Sequence, residues 1–425
     1  MSDPRPDVTH EAPCRFDWHV ERITDTAGCR LTGGSGASCW GYNQSNLVRC
    51  GEQVYALSWR DDLTLTVFRR VGDGTWEQGP VLPPVPQNGN LLVDSNQRLH
   101  VIGGEGASWH VVFDEPGCLD RWELRRRLQA DSRFGAAIDG NDRILAVGGL
   151  DCMAWYIMDA GLGDREVISA SLPHEKARGY SFVVFREGAA CTLCSDDYFL
   201  AGERYPNQQV VLPDPATGGT RTIDTDHGIY PVLRAYSYYN PDPVHTPHDW
   251  RCTVISDVSD TFDEAAGTRG TTDHQDLLVD FDGSVHMLYF ENRQPSCDVW
   301  AGTGQDDTAA RLYHAWGPAG GPYEHVCLGA YNGGRLQQTA DGRLHFFLIQ
   351  GRRSAARAVH YAVGSMKRPL RISRPVRLPG VGPLWHLFLS TARAGGTASE
   401  VVDAYWTGPL GGNSNDVFYG CLTPA

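Results

Sequence analysis

Several stretches of the chain set a cationic, aromatic or amide side chain directly ahead of an apolar run. "RGYSFVVF" carries Arg178 and Tyr180, "HQDLLVDF" opens on His274 and Gln275, and "YNGGRLQQ" holds Tyr331, Asn332 and Arg335. Arginine grips a carboxylate through two parallel hydrogen bonds. Tyrosine and histidine exchange protons, histidine near neutral pH. Brought together, such groups suit removal of a proton beside a carboxylate, because the cation spreads the charge of the carbanion. The residues lie up to 157 positions apart, so the fold must gather them.

A repeat supplies the means. "NGNLLVDSNQRLHVIGG" at 88–104 and "HQDLLVDFDGSVHMLYF" at 274–290 share one pattern: apolar run, polar turn, apolar run. That is a tight β-hairpin. "FGAAIDGNDRILAVGG" (134–149) and "GRLQQTADGRLHFFLI" (334–349) repeat it, and weaker copies lie at 43–59 and 179–194. Anchoring each copy on the end of its first run gives Arg49, Asp94, Gly140, Phe185, Asp280 and Thr339, with first intervals of 45, 46 and 45 residues. Strand units at this period mark a β-propeller. "SWHVVFD" and "RWELRRRL" supply third and fourth strands of one blade. The double interval from 185 to 280 predicts an insertion at about 197–228, with "YPVLRAYSYY" and "WRCTVIS" completing blade 4. Seven four-stranded blades are therefore expected, with eight as the alternative, in one domain over residues 1–425. "CRFDWHVERIT" is expected to close the ring as the last blade's missing strand, which removes both sheet edges.

In such a ring the first strand of every blade lines the central channel, and its entrance lies at one mouth. The entrances read Asn43-Gln44-Ser45, Asn88-Gly89-Asn90, Phe134-Gly135-Ala136, Gly179-Tyr180-Ser181, His274-Gln275-Asp276, Gly333-Gly334-Arg335 and Trp385-His386. Arg133, Arg178, Tyr331 and Asn332 flank them. Aromatic faces, amides and guanidinium groups converging on a concave floor are what a sugar site requires. Tyr180, His274, Arg178 and Arg335 are the candidate catalytic groups. Asn43, Gln44, Asn88, Arg133, Gln275, Tyr331, Asn332 and His386 are the candidate substrate-binding ones. His100, His286 and His345 fall six places after their anchors, in a slot that elsewhere holds Tyr55, Ala146 and Cys191. A slot that accepts Ala and Cys is a packing position.

Composition narrows the partners. The 425 residues carry 21% charged and 41% hydrophobic side chains, 48 Gly and 25 Pro, and a net charge of −14. That balance argues against nucleic acid or an anionic membrane as partner, while leaving room for a local basic pocket and an acidic glycan. No apolar run approaches the roughly 20 residues of a membrane span, and the first residues lack an apolar signal region. A cytoplasmic location is expected, or secretion if an export signal has been trimmed. A monomer is expected. Twelve scattered cysteines read as reduced, buried thiols. "CTLC" at 191–194 has no second pair to complete a zinc site. "HTPHDW" at 245–250 is a weak metal pattern, and no cofactor is expected.

The units "NGNLLVDSNQRLHVIGG" and "GYSFVVFREG" resemble the BNR-like repeats of propellers that include the ulvan lyases and rhamnosyl-glucuronate lyases. The resemblance implies a polysaccharide lyase that cleaves uronate-containing glycans by β-elimination, using a Tyr, one or two His and an Arg at the mouth. Tyr180 matches the tyrosine. Asp196 stands where that family has its arginine, and Gln87-Asn88 where it has its first histidine. Two other readings stay open. A glycoside hydrolase would need two carboxylates, and Asp276 is the one acid in the six aligned entrances. A non-catalytic glycan-binding propeller would usually repeat one site in each blade, whereas these entrances differ.

Overall fold

The computed structural model describes residues 5–24, 45–59, 65–82, 89–103, 108–128, 135–148, 154–159, 168–171, 181–195, 209–214, 219–224, 233–261, 269–296, 309–351, 358–365, 370–382, 384, 386–390, 392–408 and 416–425. Its strands form a seven-bladed β-propeller, with six four-stranded antiparallel sheets and a six-stranded one in blade 6. Innermost strands are Leu47–Cys50, Gly89–Val93, Gly135–Ile138, Phe182–Arg186, Arg269–Val279, Gly333–Gln338 and His386–Leu389, for blades 1 to 7. Leu47, Val48, Leu91, Leu92, Ala136 and Leu336 are wholly buried in them. Strands covered on both faces by neighbouring blades read as near-continuous apolar runs, which is why the repeat was visible. Apolar clusters sit between successive blades, such as Leu277, Met287 and Tyr289 of blade 5 against Phe182 and Leu193 of blade 4.

The hairpin turns are built by a carboxylate. Asp94, Asp139 and Asp280 each accept the backbone N–H four residues on, from Arg98, Arg143 and Ser284, at 2.8 Å. Three residues after each anchor the chain turns left-handed, at Gln97, Asp142, Gly283 and, after Thr339, Gly342. Glycine removes the steric cost of positive φ at the last two. This corrects one register: the blade-3 anchor is Asp139 rather than Gly140, and Leu145 takes the slot expected for Ala146, opposite Ala137.

Blade 4 runs Phe182–Arg186, Ala189–Ser195, Arg234–Asn240 and Arg251–Asp257. A separate hairpin, Gln209–Asp214 with Gly219–Asp224, lies within the span expected for the insertion. The N-terminal segment works twice. Thr9–Glu11 pairs in parallel with Arg371–Ser373 of blade 6. Phe16–Thr24 then becomes the outermost strand of blade 7, antiparallel to Asp416–Pro424. A buried bidentate pair, Arg49 with Asp403 at 2.6 and 2.8 Å, ties blade 1 to blade 7 across this closure. Among the described residues, no helix is long and apolar enough to cross a membrane.

Candidate active site

Blade 5 departs from its neighbours. Its first hairpin joins Arg269–Val279 to Ser284–Ser296, strands of 11 and 13 residues, against six or fewer in the other innermost strands. The pairing runs on from Asp276 past His274 to Arg269, and the register shifts between His274 and Asp276. Such a bulge re-aims the side chains beside it. His274 was expected at a wet entrance. Instead its side chain is wholly buried, because Thr271, Thr272 and Asp273 continue the strand past it.

Its Nδ1 meets two oxygens. Nδ1 lies 2.9 Å from Ser195 Oγ and 3.0 Å from Asp273 Oδ1. Ser195 Oγ donates to the same Oδ1 at 2.9 Å, and the His274 backbone N–H donates to it at 3.0 Å. Phe182 meets the imidazole edge-on, with centroids 5.6 Å apart.

Arg335 also approaches Phe182, its guanidinium carbon 5.5 Å from that ring and 5.6 Å from the ring of Phe388. Its Nε donates to Leu387 O at 2.7 Å. One terminal nitrogen donates to Gly334 O at 2.8 Å and also to Gln275 O. The side chain thus pins the innermost strands of blades 5, 6 and 7. Gln275 donates from Nε2 to His274 O at 2.9 Å, and its Oε1 lies where a Cβ on Gly333 would come within 2.9 Å. A larger residue there would displace the Gln275 amide.

Asp276 is fully engaged. Oδ1 accepts Leu277 N–H at 2.9 Å and an Arg393 N–H at 2.7 Å, while Oδ2 accepts Leu336 N–H at 2.8 Å. Arg393 comes from the short 3-10 turn Ala392–Ala394 after blade 7's first strand, and its guanidinium carbon lies 5.0 Å from the Phe182 ring. Asp276 is therefore a buried ion-pair partner, poorly suited to act as an acid.

Of the other expected site residues, Tyr331 is half-buried with its ring 5.8 Å from His360, and burial pushes its hydroxyl pKa up. Asn332 donates to Gly351 O at 2.7 Å. His386 begins the first strand of blade 7, opposite Thr407; its side chain lies outside the described residues, as do Asn43, Gln44, Asn88, Arg133, Arg178 and Tyr180. Sequence reasoning missed Ser195, Asp273, Phe182 and Arg393. Asp273 adjoins His274 in "DHQD" and was within reach of the pattern. Arg393 sits in a non-repeating turn and gave no signal.

The histidines in the packing slot are buried and partnered. His100 Nδ1 meets His110 Nε2 at 3.0 Å, and His286 Nδ1 meets His314 Nε2 at 2.9 Å with Asp280 behind it at 3.2 Å. His345 bridges Thr339 and Tyr361, each at 2.7 Å. Burial pushes His100 and His314 down and takes His345 to about 4.

No protein-family description and no curated protein sequence matches the chain. Solved structures do. An ulvan lyase of polysaccharide lyase family PL25 aligns with a TM-score of 0.58 and 11% identity over 95% of both chains. A PL25 ulvan lyase structure bound to -[GlcA(1-4)Rha3S]- gives 0.57 at 10% identity, again over 95% of each chain. Polysaccharide lyase Uly1 gives 0.54 at 10% identity, covering 97% of this chain and 99% of its own. The fold is that of the ulvan-lyase propellers. At this identity the likeness speaks for architecture, and the chemistry has to be argued from the residues.

Proposed function

We propose that this propeller is a lyase that cleaves uronic-acid-containing oligo- or polysaccharides by β-elimination. The observation that carries the reading is the Phe182 ring, which touches both His274 and Arg335 and stands two residues after Tyr180 in the same stretch of chain. A proton-exchanging group and a cation from blades 5 and 6 thus meet beside the start of the blade-4 strand.

The reaction breaks the C–H bond beside the uronate carboxylate and the C–O bond to the next sugar, leaving a carbon–carbon double bond. Charge that develops on the carboxylate needs a cation. Arg335 has given Nε and one terminal nitrogen to carbonyls, so it contributes charge to the floor, and the two-pronged grip falls to Arg178. Tyr180 and His274 divide the two proton transfers, one taking the carbon-bound proton and the other supplying the leaving oxygen. The ulvan-lyase likeness, including a structure bound to a glucuronate-containing glycan, supports an acidic glycan as substrate.

A hydrolase is disfavoured because it needs two available carboxylates. Asp276 is committed to Arg393, and Asp273 to Ser195 and His274. Mass spectrometry of digests of a uronate-glycan panel separates the reactions. Elimination gives product masses that sum to the substrate mass, whereas a gain of one water would assign hydrolysis and overturn this reading.

A further inference from the structure

We propose that Asp273 and Ser195 are positioning residues that hold His274 with its proton on Nδ1, making Nε2 the nitrogen that exchanges a proton. The inference rests on the lyase reading for its catalytic consequence and on geometry alone for the tautomer.

Three groups meet at one point. Asp273 Oδ1 lies 3.0 Å from His274 Nδ1, Ser195 Oγ lies 2.9 Å from Nδ1, and Ser195 Oγ lies 2.9 Å from Oδ1. An ionised carboxylate only accepts hydrogen bonds. Were Nδ1 unprotonated, its lone pair would face the Asp273 carboxylate oxygen at 3.0 Å in a buried site, and the Ser195 hydroxyl, whichever of the two it served, would leave that repulsion in place. A proton on Nδ1 resolves the conflict. Ser195 O–H donates to Asp273, and Nδ1–H donates into the oxygen pair formed by Ser195 Oγ and Asp273 Oδ1. The backbone N–H of His274 on the same Oδ1 keeps the carboxylate in place as one unit with the ring it orients.

The three residues come from the ends of two adjacent blades. Ser195 is the last residue of the second strand of blade 4, and Asp273 and His274 lie where the blade-5 hairpin outruns its neighbours. The overhang of blade 5 is thus what creates the contact.

The test uses the whole protein labelled with nitrogen-15 at histidine. Two-bond ring correlations, assigned with His274→Gln, report which nitrogen carries the proton. Wild-type protein at pH 8 should show Nδ1–H at His274. In Asp273→Ala the carboxylate is gone, the Ser195 hydroxyl is released to donate to Nδ1, and the ring should shift to the Nε2–H form. In Ser195→Ala the carboxylate remains, and the Nδ1–H form should persist. Under the lyase reading, Asp273→Ala lowers kcat by about 10²–10⁴-fold with little change in KM, the span of a lost acid–base group. An Nε2–H ring in the wild type, or an unaltered tautomer in Asp273→Ala, overturns the inference. Should Asp273→Ala not fold, the wild-type spectrum decides. If the tautomer switches while cleavage does not change, the positioning role stands and the lyase reading falls.

Discussion

Arg393 and Asp276 meet at 2.7 Å inside the channel, with 2% and 1% of their side chains exposed. One comes from the turn that follows blade 7's first strand, the other from the bulged strand of blade 5. Their contact bridges non-adjacent blades and accounts for the acid that the sequence left open as a hydrolytic group. Two arginines and Phe182 fill the space around it.

A buried charge stripped of its partner is strongly destabilising. Arg393→Met should therefore cost about 3–5 kcal/mol in urea unfolding. Adding Asp276→Asn to that variant should recover part of the loss, because the uncompensated charge is gone. Strictly additive losses would contradict the pairing.

His286 and His274 lie in one hairpin but face different partners. His286→Ala should cost about 1–3 kcal/mol by breaking its contacts with His314 and Asp280, with little change in turnover per folded molecule. His274→Ala should lower turnover by about 10²–10⁴-fold. It should also lower Tm, because Ser195 and Asp273 lose the buried ring between them. Loss of activity in a folded His286→Ala, with His274→Ala active, would reverse the two assignments.

Stability should fall on acidification below neutral pH. Burial holds His345 at about 4 against an ordinary 6.5, so from 6.5 down to about 4 the unfolded chain binds the proton that the folded chain refuses. Stability is complete above that window and is lost as pH falls through it, on the order of 3 kcal/mol for this group. His100 and His314 act in the same direction. Asp94 and Asp280, held below the usual carboxylate value although burial opposes it, by their histidines and the turn N–H groups, add to the loss at lower pH. His345→Gln should give a shallower fall between pH 7 and 5 in urea midpoints.

What the sequence made legible follows from what repeats. Asp94 and Asp280 could be found as anchors because a carboxylate caps the same turn in blades 2, 3 and 5, and strands covered on both faces had to be apolar. Asp139 and Gly140 both suit a turn, so composition could not separate them, and the register slipped by one. His274 was found by counting back from Asp280. Its burial was not, because a count from the turn cannot see that Arg269–Asp273 prolong the strand. Among the described residues, Arg393 belongs to a turn after the first strand of blade 7 alone, and no period reaches it.

The entrances differ from blade to blade, so the chain should bind one glycan. Titration calorimetry of a catalytically silenced His274→Ala with a uronate oligosaccharide should give a stoichiometry of about one, as for a single concave site. Several equivalent sites would favour a lectin-type propeller.

Elimination by this chain should depend on His274. Incubation of the wild-type protein with a panel of uronate-containing glycans, followed by ultraviolet absorbance, tests it most directly. Proton abstraction beside the carboxylate yields an unsaturated uronate, and absorbance should rise at about 230–235 nm with wild type and stay flat with His274→Ala. New reducing ends without that absorbance, or an equal rise in His274→Ala, would contradict the account.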